Sequence, residues 1–436
     1  METNNQYILS KSINSDKNAY IYFILVLIQM IFVFESLVTG YRWSKEFIAI
    51  VPFVFFGVCF VYAIFWKQKK INIGMLLFLL VIIISKLATS LIWNDFTADN
   101  ILLILVVIEA FMIASILDAN KYWDQFVNVM VVMCVYSWIS TYIFLPLSLE
   151  KGFNIGTRFT NILGVPYYDY GFSFAQAWHG YMRNQGYFRE PGVYQVFLLI
   201  AFIIAVFDKK QPIKQYITKF LILFITIITT ASTAGIPCLI IILFGSYQSF
   251  ELKKRKKANR IIFIAVLLML MFFGNRLYEV FFERITYTLT QGNNTITYAV
   301  RLEGPMNIVN EIFTSPIKII AGDSFVHGLR NVRELNVISK TDVTGTHLVF
   351  CLGFGLPIGI YTIYLLYKFC KKNCVTFGTT IFVFSGLLLS MQSQNLIYNS
   401  FLWVMMFQVI NLQKHRIKSL YESKSMTINS KIVLSD

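Results

Sequence analysis

"MRNQGYFREPGVYQVFLLIAF", residues 182–202, sets Arg183, Arg189 and Glu190 directly against a run of membrane-grade apolar residues. A stop-transfer signal needs only positive charge, usually on the cytoplasmic side. This cluster adds an acid and a Pro191-Gly192 step, so the face it occupies decides how the chain is threaded.

The 436 residues are 56% hydrophobic and only 14% charged, whereas soluble domains carry about 25% charged residues, which makes this a polytopic membrane protein by composition. The first apolar stretch follows a polar start without a small-residue cleavage pattern, so it reads as a retained span and not a signal peptide. The six cysteines avoid the long polar segments, and no disulfide framework is expected. Cys370 and Cys374 sit among lysines, where chance proximity is the better reading than a metal site.

A spanning helix needs about 20 apolar residues. Runs of that kind fall near 20–39, 47–66, 71–93, 100–117, 126–147, 191–207, 219–233, 235–249, 261–277, 346–368, 375–395 and 397–413. The seventh and eighth form one run too long for one straight helix, and "TASTAGIP" at 230–237 supplies a break. "KQKK" at 67–70, "DKK" at 208–210, "ELKKRKK" at 251–257, "KFCKK" at 368–372 and "KHRIK" at 414–418 are placed inside. The result is an all-α protein of about 12 spans in one membrane domain, with both termini cytoplasmic. It puts about 24 Lys and Arg inside and about 13 outside, so the net charge of +15 is mostly topology signal, not a nucleic-acid footprint.

Two long segments then lie outside, 148–190 and 278–345, and the opening cluster belongs to the first. These segments hold or border His179, His327 and His347, and carry Arg158, Arg183, Arg189, Arg284, Arg301, Arg330 and Arg333. Guanidinium binds phosphate oxygens bidentately and stays charged, so mixed-charge clusters where helices enter lipid suit an anionic head group. The aromatic run Tyr167, Tyr168, Tyr170, Phe172, Phe174 and Trp178 reads equally well as a sugar-stacking platform or an interfacial belt. No Asp-x-Asp pair, no phosphate-binding Gly-Lys loop and no metal-ligand spacing occurs, so neither a metal nor another cofactor is expected. A reaction here would draw on a preactivated substrate delivered in the membrane. Within the spans, Lys86 and Glu109 fall at similar depth, roughly 10–14 Å down, and read as an ion pair. Glu35 sits close to the outer interface.

Three stretches resemble the polytopic O-antigen and capsule polysaccharide polymerases of the Wzy type, relatives of the O-antigen ligases. They are "RNQGYFREPG" (Arg183, Gly186, Phe188, Glu190, Pro191), "RLEGPMNIVNEIFTSPIKIIAG" from Arg301 to Gly322, and "THLVFCLGFGLPIG" with His347, Gly353 and Gly355. A fourth element, Ser-Arg-Gly within a helix, is matched only by "STAG" at 232–235, without its arginine, and nothing functional carries over there. The resemblance covers roughly residues 180–365.

It implies a GT-C-like glycosyltransferase on the outer face of the cytoplasmic (inner) membrane. Such an enzyme polymerises undecaprenyl-pyrophosphate-linked oligosaccharide repeat units into O-antigen or capsule, without metal or cofactor. Its implied partners are that lipid-linked oligosaccharide, membrane lipid and a chain-length regulator. On this reading Arg183 and Arg301, supported by Arg189, hold pyrophosphate, and a good leaving group needs charge stabilisation above all. His347 is the general base for the acceptor hydroxyl and Glu190 its rival, while Tyr168, Tyr170 and Trp178 are the sugar-stacking candidates. The alternatives are a ligase of the same superfamily and, from another class, a polysaccharide-lipid flippase or transporter.

Overall fold

A computed structural model describes residues 19–38, 42–150, 155–160, 166–178, 181–207, 212–232, 234–248, 303–324, 328–329, 331–332, 344–374 and 376–411. The span read at 261–277 lies outside these residues, as do Arg301, His179, His327, Arg284, Arg330 and Arg333.

The described chain is mostly helical. Its helices are α1 (Ala19–Ile31), α2 (Lys45–Phe65), α3 (Ile73–Ile92), α4 (Ala98–Ile116), α5 (Ala119–Ile139) and α6 (Leu145–Glu150). After a small sheet come α7 (Pro191–Phe207), α8 (Ile213–Thr229), α9 (Gly235–Gln248), α10 (Gly304–Ile312) and α11 (Pro316–Ala321). The last three are α12 (Thr346–Asn373), α13 (Phe377–Gln392) and α14 (Ser400–Asn411). Five stretches are long and apolar enough to cross a membrane: α2, α3, α4, α12 and the continuous run Ala119–Leu149, in which a π-helical turn at Ser140–Phe144 joins α5 to α6. Polar side chains start three of them, α2, α3 and α5, where the sequence leaves helix N–H groups without partners. Ser44 accepts from Phe47 N, Asn72 from Gly74 N, and Asp118 from the amides of Asn120 and Lys121.

Burial sorts the helices. α2 keeps an apolar face with Val54, Val58, Tyr62 and Phe65 exposed, whereas every residue of α7 from Pro191 to Phe207 is buried. A helix apolar on all sides belongs in the middle of a bundle. The stretch that opens the sequence reading is thus the central rod, entered through Glu190, whose carbonyl accepts from Val193 N and Tyr194 N. Pro191 at its first position fits the missing donor of a helix start.

Three features depart from the sequence reading. The stretch 148–190, expected as an outer loop, contains a four-stranded antiparallel meander, so the chain is not all-α: β1 (Thr157–Thr160), β2 (Pro166–Asp169), β3 (Phe174–Trp178) and β4 (Tyr181–Asn184). Arg42 clamps it with a bidentate ion pair to Asp169, which also accepts from Gly171 N in the turn after β2. Second, α1 stops at Ile31, short of the expected 39, because the next segment pairs with the chain before α7. Ser36 bridges Phe188, Leu37 N donates to Tyr187 O, and Arg189 N donates to Glu35 O at 2.8 Å.

Third, α12 is not the single rod expected at 346–368. Gly355 has φ 82° and ψ 163°, a region essentially closed to residues with a Cβ, and Pro357 follows. In a straight helix, residues fifteen apart stand about 22 Å apart along the axis. Here His347 Nδ1 lies 3.4 Å from Thr362 Oγ1. A Cβ on Gly359 would likewise come within 3.0 Å of the Cys351 backbone nitrogen. The chain therefore folds back at Gly355, laying 346–354 along 356–373. The latter stretch, about 27 Å long, is near the roughly 30 Å of a bilayer core; the former is a half-helix. The end of α11 braces the break. Asp323 N donates to Leu352 O at 2.6 Å, and Gly322 packs on the backbone of Gly353–Gly355.

Gly355→Ala is expected to cost at least about 2 kcal/mol, from the backbone strain and from collision with Ile320 O. Gly57→Ala in α2, where a Cβ meets only Met112 Sδ at 3.9 Å, is expected to be neutral or stabilising. Unfolding in mixed detergent micelles measures both. Equal stability of the two variants would remove the fold-back.

Candidate functional site

The arginine of the opening cluster is held from below. Arg183, paired with Gln176 in the sheet, donates through Nε to Thr230 O at 3.4 Å and through Nη2 to Ala231 O at 3.2 Å. Those carbonyls end α8, at the break read in "TASTAGIP", where Ala231 takes a positive φ of 46°. A cation at a helix C-terminus opposes the negative end of the peptide dipoles. The same turn is tied to the sheet by Asn184, whose Nδ2 donates to Thr229 Oγ1 and Ser137 Oγ.

From this turn the contacts run inward. Ser232, buried, donates its amide to Thr230 Oγ1, and its Oγ lies 3.8 Å from where a Cβ on Gly192 would be. The same Cβ would strike Gln394. The carbonyl of Gln394 accepts from Gly345 N at 3.2 Å and Thr346 Oγ1 at 2.7 Å, which seats His347 next in the chain. One turn into α7, Gln195 Nε2 donates to Ser390 Oγ at 3.0 Å. The structure thus joins Arg183, the first turn of α7 and His347 through one unbroken set of neighbours. The "STAG" element, from which the sequence reading carried nothing over, supplies part of that chain. Its signal was the small residues themselves: a Cβ on Gly235 would lie 2.7 Å from Gln195 Oε1.

His347 is buried, with its Nδ1 facing Thr362 Oγ1. Thr362 already donates its hydroxyl proton to Gly359 O at 2.7 Å. Its oxygen is left to accept, so Nδ1 carries the imidazole proton and Nε2 carries the lone pair. That Nε2 is buried and has no hydrogen-bond partner among the described residues. Arg189 Nε, both amide atoms of Gln185, Gln195 Oε1 and Gln392 Oε1 share this condition. Buried polar atoms of native folds are nearly always paired, by protein or by water, and the same condition recurs elsewhere in the bundle, at Ser85 Oγ, Thr141 Oγ1 and both amide atoms of Gln408. Arg189 also exerts its charge on Glu35, whose carboxylate accepts from Asn399 Nδ2 at 3.1 Å. Glu190 is exposed at the α7 entrance.

Other candidates lie apart. Tyr168 and Tyr170 are buried, stacked on each other at 6.5 Å and packed with Leu145 and Ala175. Arg158 lies over the Tyr168 ring, and Tyr170 OH is bonded to Ser148 Oγ. These two rings form the core of the sheet, neither an open sugar platform nor a lipid-facing belt; Phe172 is the exposed aromatic of the run. Trp178 lies in β3, with its side chain outside the described residues. Burial pushes the Tyr170 phenol above its ordinary range.

The expected Lys86–Glu109 ion pair does not form. Glu109 hydrogen-bonds Ser400 of α14, next to Gln29 and Tyr122, while Lys86 lies in the field of Asp95 and Asp323. Equal depth fixed only the height of the two side chains; their directions around α3 and α4 differ. Lys86 belongs to a charged cluster that the sequence reading missed. In it Lys318 bridges Glu311 and Asp323 (3.1 Å to the latter), and Ser324 bonds Asp95. Burial lowers the Lys318 ammonium's affinity for its proton, but the two carboxylates outweigh this and raise its pKa.

No family model, curated protein or solved structure matches the chain.

The tautomer assignment is open to test by ¹⁵N-histidine NMR of the protein in micelles. Of the four histidines, the resonance lost in His347→Gln is expected to show the Nδ1–H form. Thr362→Val, which removes the acceptor, is expected to return it to the Nε2–H form that the free histidine side chain prefers. An Nε2–H signal in the unmodified protein would reverse the assignment.

Proposed function

We propose that this chain is a metal-independent membrane glycosyltransferase. It would polymerise undecaprenyl-pyrophosphate-linked repeat units into O-antigen or capsular polysaccharide, on the outer face of the inner membrane. About 12 spans with cytoplasmic termini put the segments 148–190 and 278–345, and with them the Arg183 end of the bundle, on that outer face. The observation that carries the reading is the continuous set of contacts from Arg183 to a buried, tautomer-fixed His347. A charge-stabilising group and a base are thereby gathered at one end of a lipid-embedded bundle.

In this mechanism Arg183, with Arg301 and Arg189, binds the pyrophosphate of the growing chain's lipid carrier. The acceptor hydroxyl of the next repeat unit attacks the anomeric carbon and gives its proton to His347 Nε2. The new C–O bond forms as the bond to pyrophosphate breaks, so the anomeric centre inverts. The electron pair leaves with undecaprenyl pyrophosphate, whose charge the arginines stabilise. Glu190, exposed at the α7 entrance, is the rival base or an orienter of the acceptor. A chain-length regulator is the expected partner in the membrane.

A transporter reading gains from one observation: the half-helix 346–354, broken at Gly355, is the kind of discontinuous element that transporters place at their substrate sites. The two readings separate in purified protein. Glycan extension in micelles, with no membrane and no gradient, supports the transferase; a chain that moves lipid-linked glycan across vesicles without extending it supports the transporter.

In a knockout complemented at matched membrane expression, wild type is expected to restore a glycan ladder. Arg183→Ala, Arg301→Ala and His347→Ala are expected to leave single repeat units, with extension down about 100-fold or more. A knockout that accumulates lipid-linked polymer would mark a ligase instead. Normal ladders from all three variants would remove this site from the chemistry.

A further inference from the structure

The arginines account for negative charge, but the orphaned atoms around His347 have a different character. Gln195 Oε1, Gln392 Oε1 and His347 Nε2 are buried without a partner among the described residues, and all three are hydrogen-bond acceptors. Gln195 Nε2 donates to Ser390 Oγ at 3.0 Å, which leaves Oε1 as the open atom of its amide. Each glutamine oxygen also faces a glycine. A Cβ on Gly235 would stand 2.7 Å from Gln195 Oε1, and a Cβ on Gly345 would stand 3.3 Å from Gln392 Oε1. The Gln195 amide thus packs directly on Gly235, where no larger residue would fit.

Hydrogen bonds join the stretches that carry the three acceptors. Ser390 and Gln392 lie two residues apart at the end of α13, and Thr346 Oγ1 donates to Met391 O between them at 2.8 Å. Gly345 and His347 flank that threonine. A set of acceptors repels an anion's lone pairs, and the nearby guanidinium of Arg183 opposes a free cation. The chemistry left is that of a neutral donor-rich group, which for a carbohydrate means ring hydroxyls.

We propose that Gln195, Gln392 and His347 form a hydroxyl-recognising subsite for the sugar of the acceptor repeat unit, separate in chemistry from the arginines that hold pyrophosphate. This rests on the transferase reading and extends it from the reaction to its selectivity. A buried site built to pair a hydroxyl rejects an analogue that lacks it, because its own acceptors are then stranded. The neutral glutamines would therefore choose the sugar while the arginines stay indifferent to it.

Binding to the purified full chain in nanodiscs tests this with two probes: undecaprenyl pyrophosphate alone, and the undecaprenyl-pyrophosphate-linked repeat unit extracted from the knockout. Wild type is expected to prefer the glycosylated lipid by about tenfold or more, as one or two well-made hydrogen bonds would give. Gln195→Leu and Gln392→Leu are expected to keep wild-type affinity for the bare lipid and lose the preference. Gly235→Ala, which removes no polar group, is expected to lose it as well by displacing the Gln195 amide. Arg183→Ala is expected to weaken the bare lipid, whose pyrophosphate it holds, and also to reduce the preference, because the same contact fixes the turn beneath Gln195. Retained binding of the bare lipid shows that a variant is folded. If the leucine variants and Gly235→Ala keep the preference, the orphaned atoms hold only water and the subsite is overturned. If wild type binds both lipids equally, the subsite falls while the transferase reading stands. If it binds neither, both fall.

Discussion

A helix can bring residues fifteen apart into contact only by ceasing to be a helix between them, and the break in α12 is what the site rests on. Inside an apolar bundle such a break is tolerated only where the freed backbone groups find protein partners. Leu352 O finds the amide of Asp323, and Gly322 lets the two backbones meet. The bracing residue is itself held by Lys318, which Glu311 also holds, and Lys86 and Asp95 face the same cluster. His347 therefore has its height in the bundle set by charges on three other elements. The sequence places those residues up to about 260 positions away and gives no hint that they cooperate.

At the other end of the site, Arg183 answers to two demands. Its guanidinium closes the carbonyl end of α8, a purely structural duty that many arginines perform. Because those carbonyls belong to the turn that also bears Ser232 and Gly235, the same contact fixes the floor beneath Gln195. Removing the side chain would disturb both charge and floor. Comparing bare and glycosylated lipid separates these effects better than activity alone.

Much of the scaffold was legible because hydrophobic length and lysine position are strong one-dimensional signals. The apolar runs at 47–66, 71–93, 100–117, 191–207, 235–249, 375–395 and 397–413 became helices within a few residues of their expected ends, and α8 and α9 part at the turn read from Thr230 to Pro237. What failed needed direction instead of length. Lys86 and Glu109 were matched by depth, yet α3 and α4 aim them at different partners. The strand alternation of Phe174-Ala175-Gln176-Ala177-Trp178 was hidden in a chain already rich in aromatics, so a sheet core was read as a surface. Gly355 and Pro357 were visible as residues, and Gly355 was noted for a family resemblance, but a fold-back depends on what braces it. Arg183, Arg189, Glu190 and His347 were found singly, the glutamines at 185, 195 and 392 not at all; the connection through Gly192, Ser232 and Gln394 has no sequence signature beyond smallness and amide chemistry.

The contact between the first described helix and the last has a consequence for how the protein comes into being. Gln29 on α1 bonds Ser400, and Glu35 just beyond α1 bonds Asn399, partners made some 370 residues later. At about 5–20 residues per second, synthesis leaves that carboxylate waiting roughly 20–70 s for its amide. During that interval α1 is a short apolar helix with a glutamine on it and a charged tail, poorly suited to sit alone in lipid. The bundle thus closes like a purse whose drawstring is threaded first and pulled last. The first described helix must be sheltered at the insertion machinery or by its neighbours until the last described one arrives.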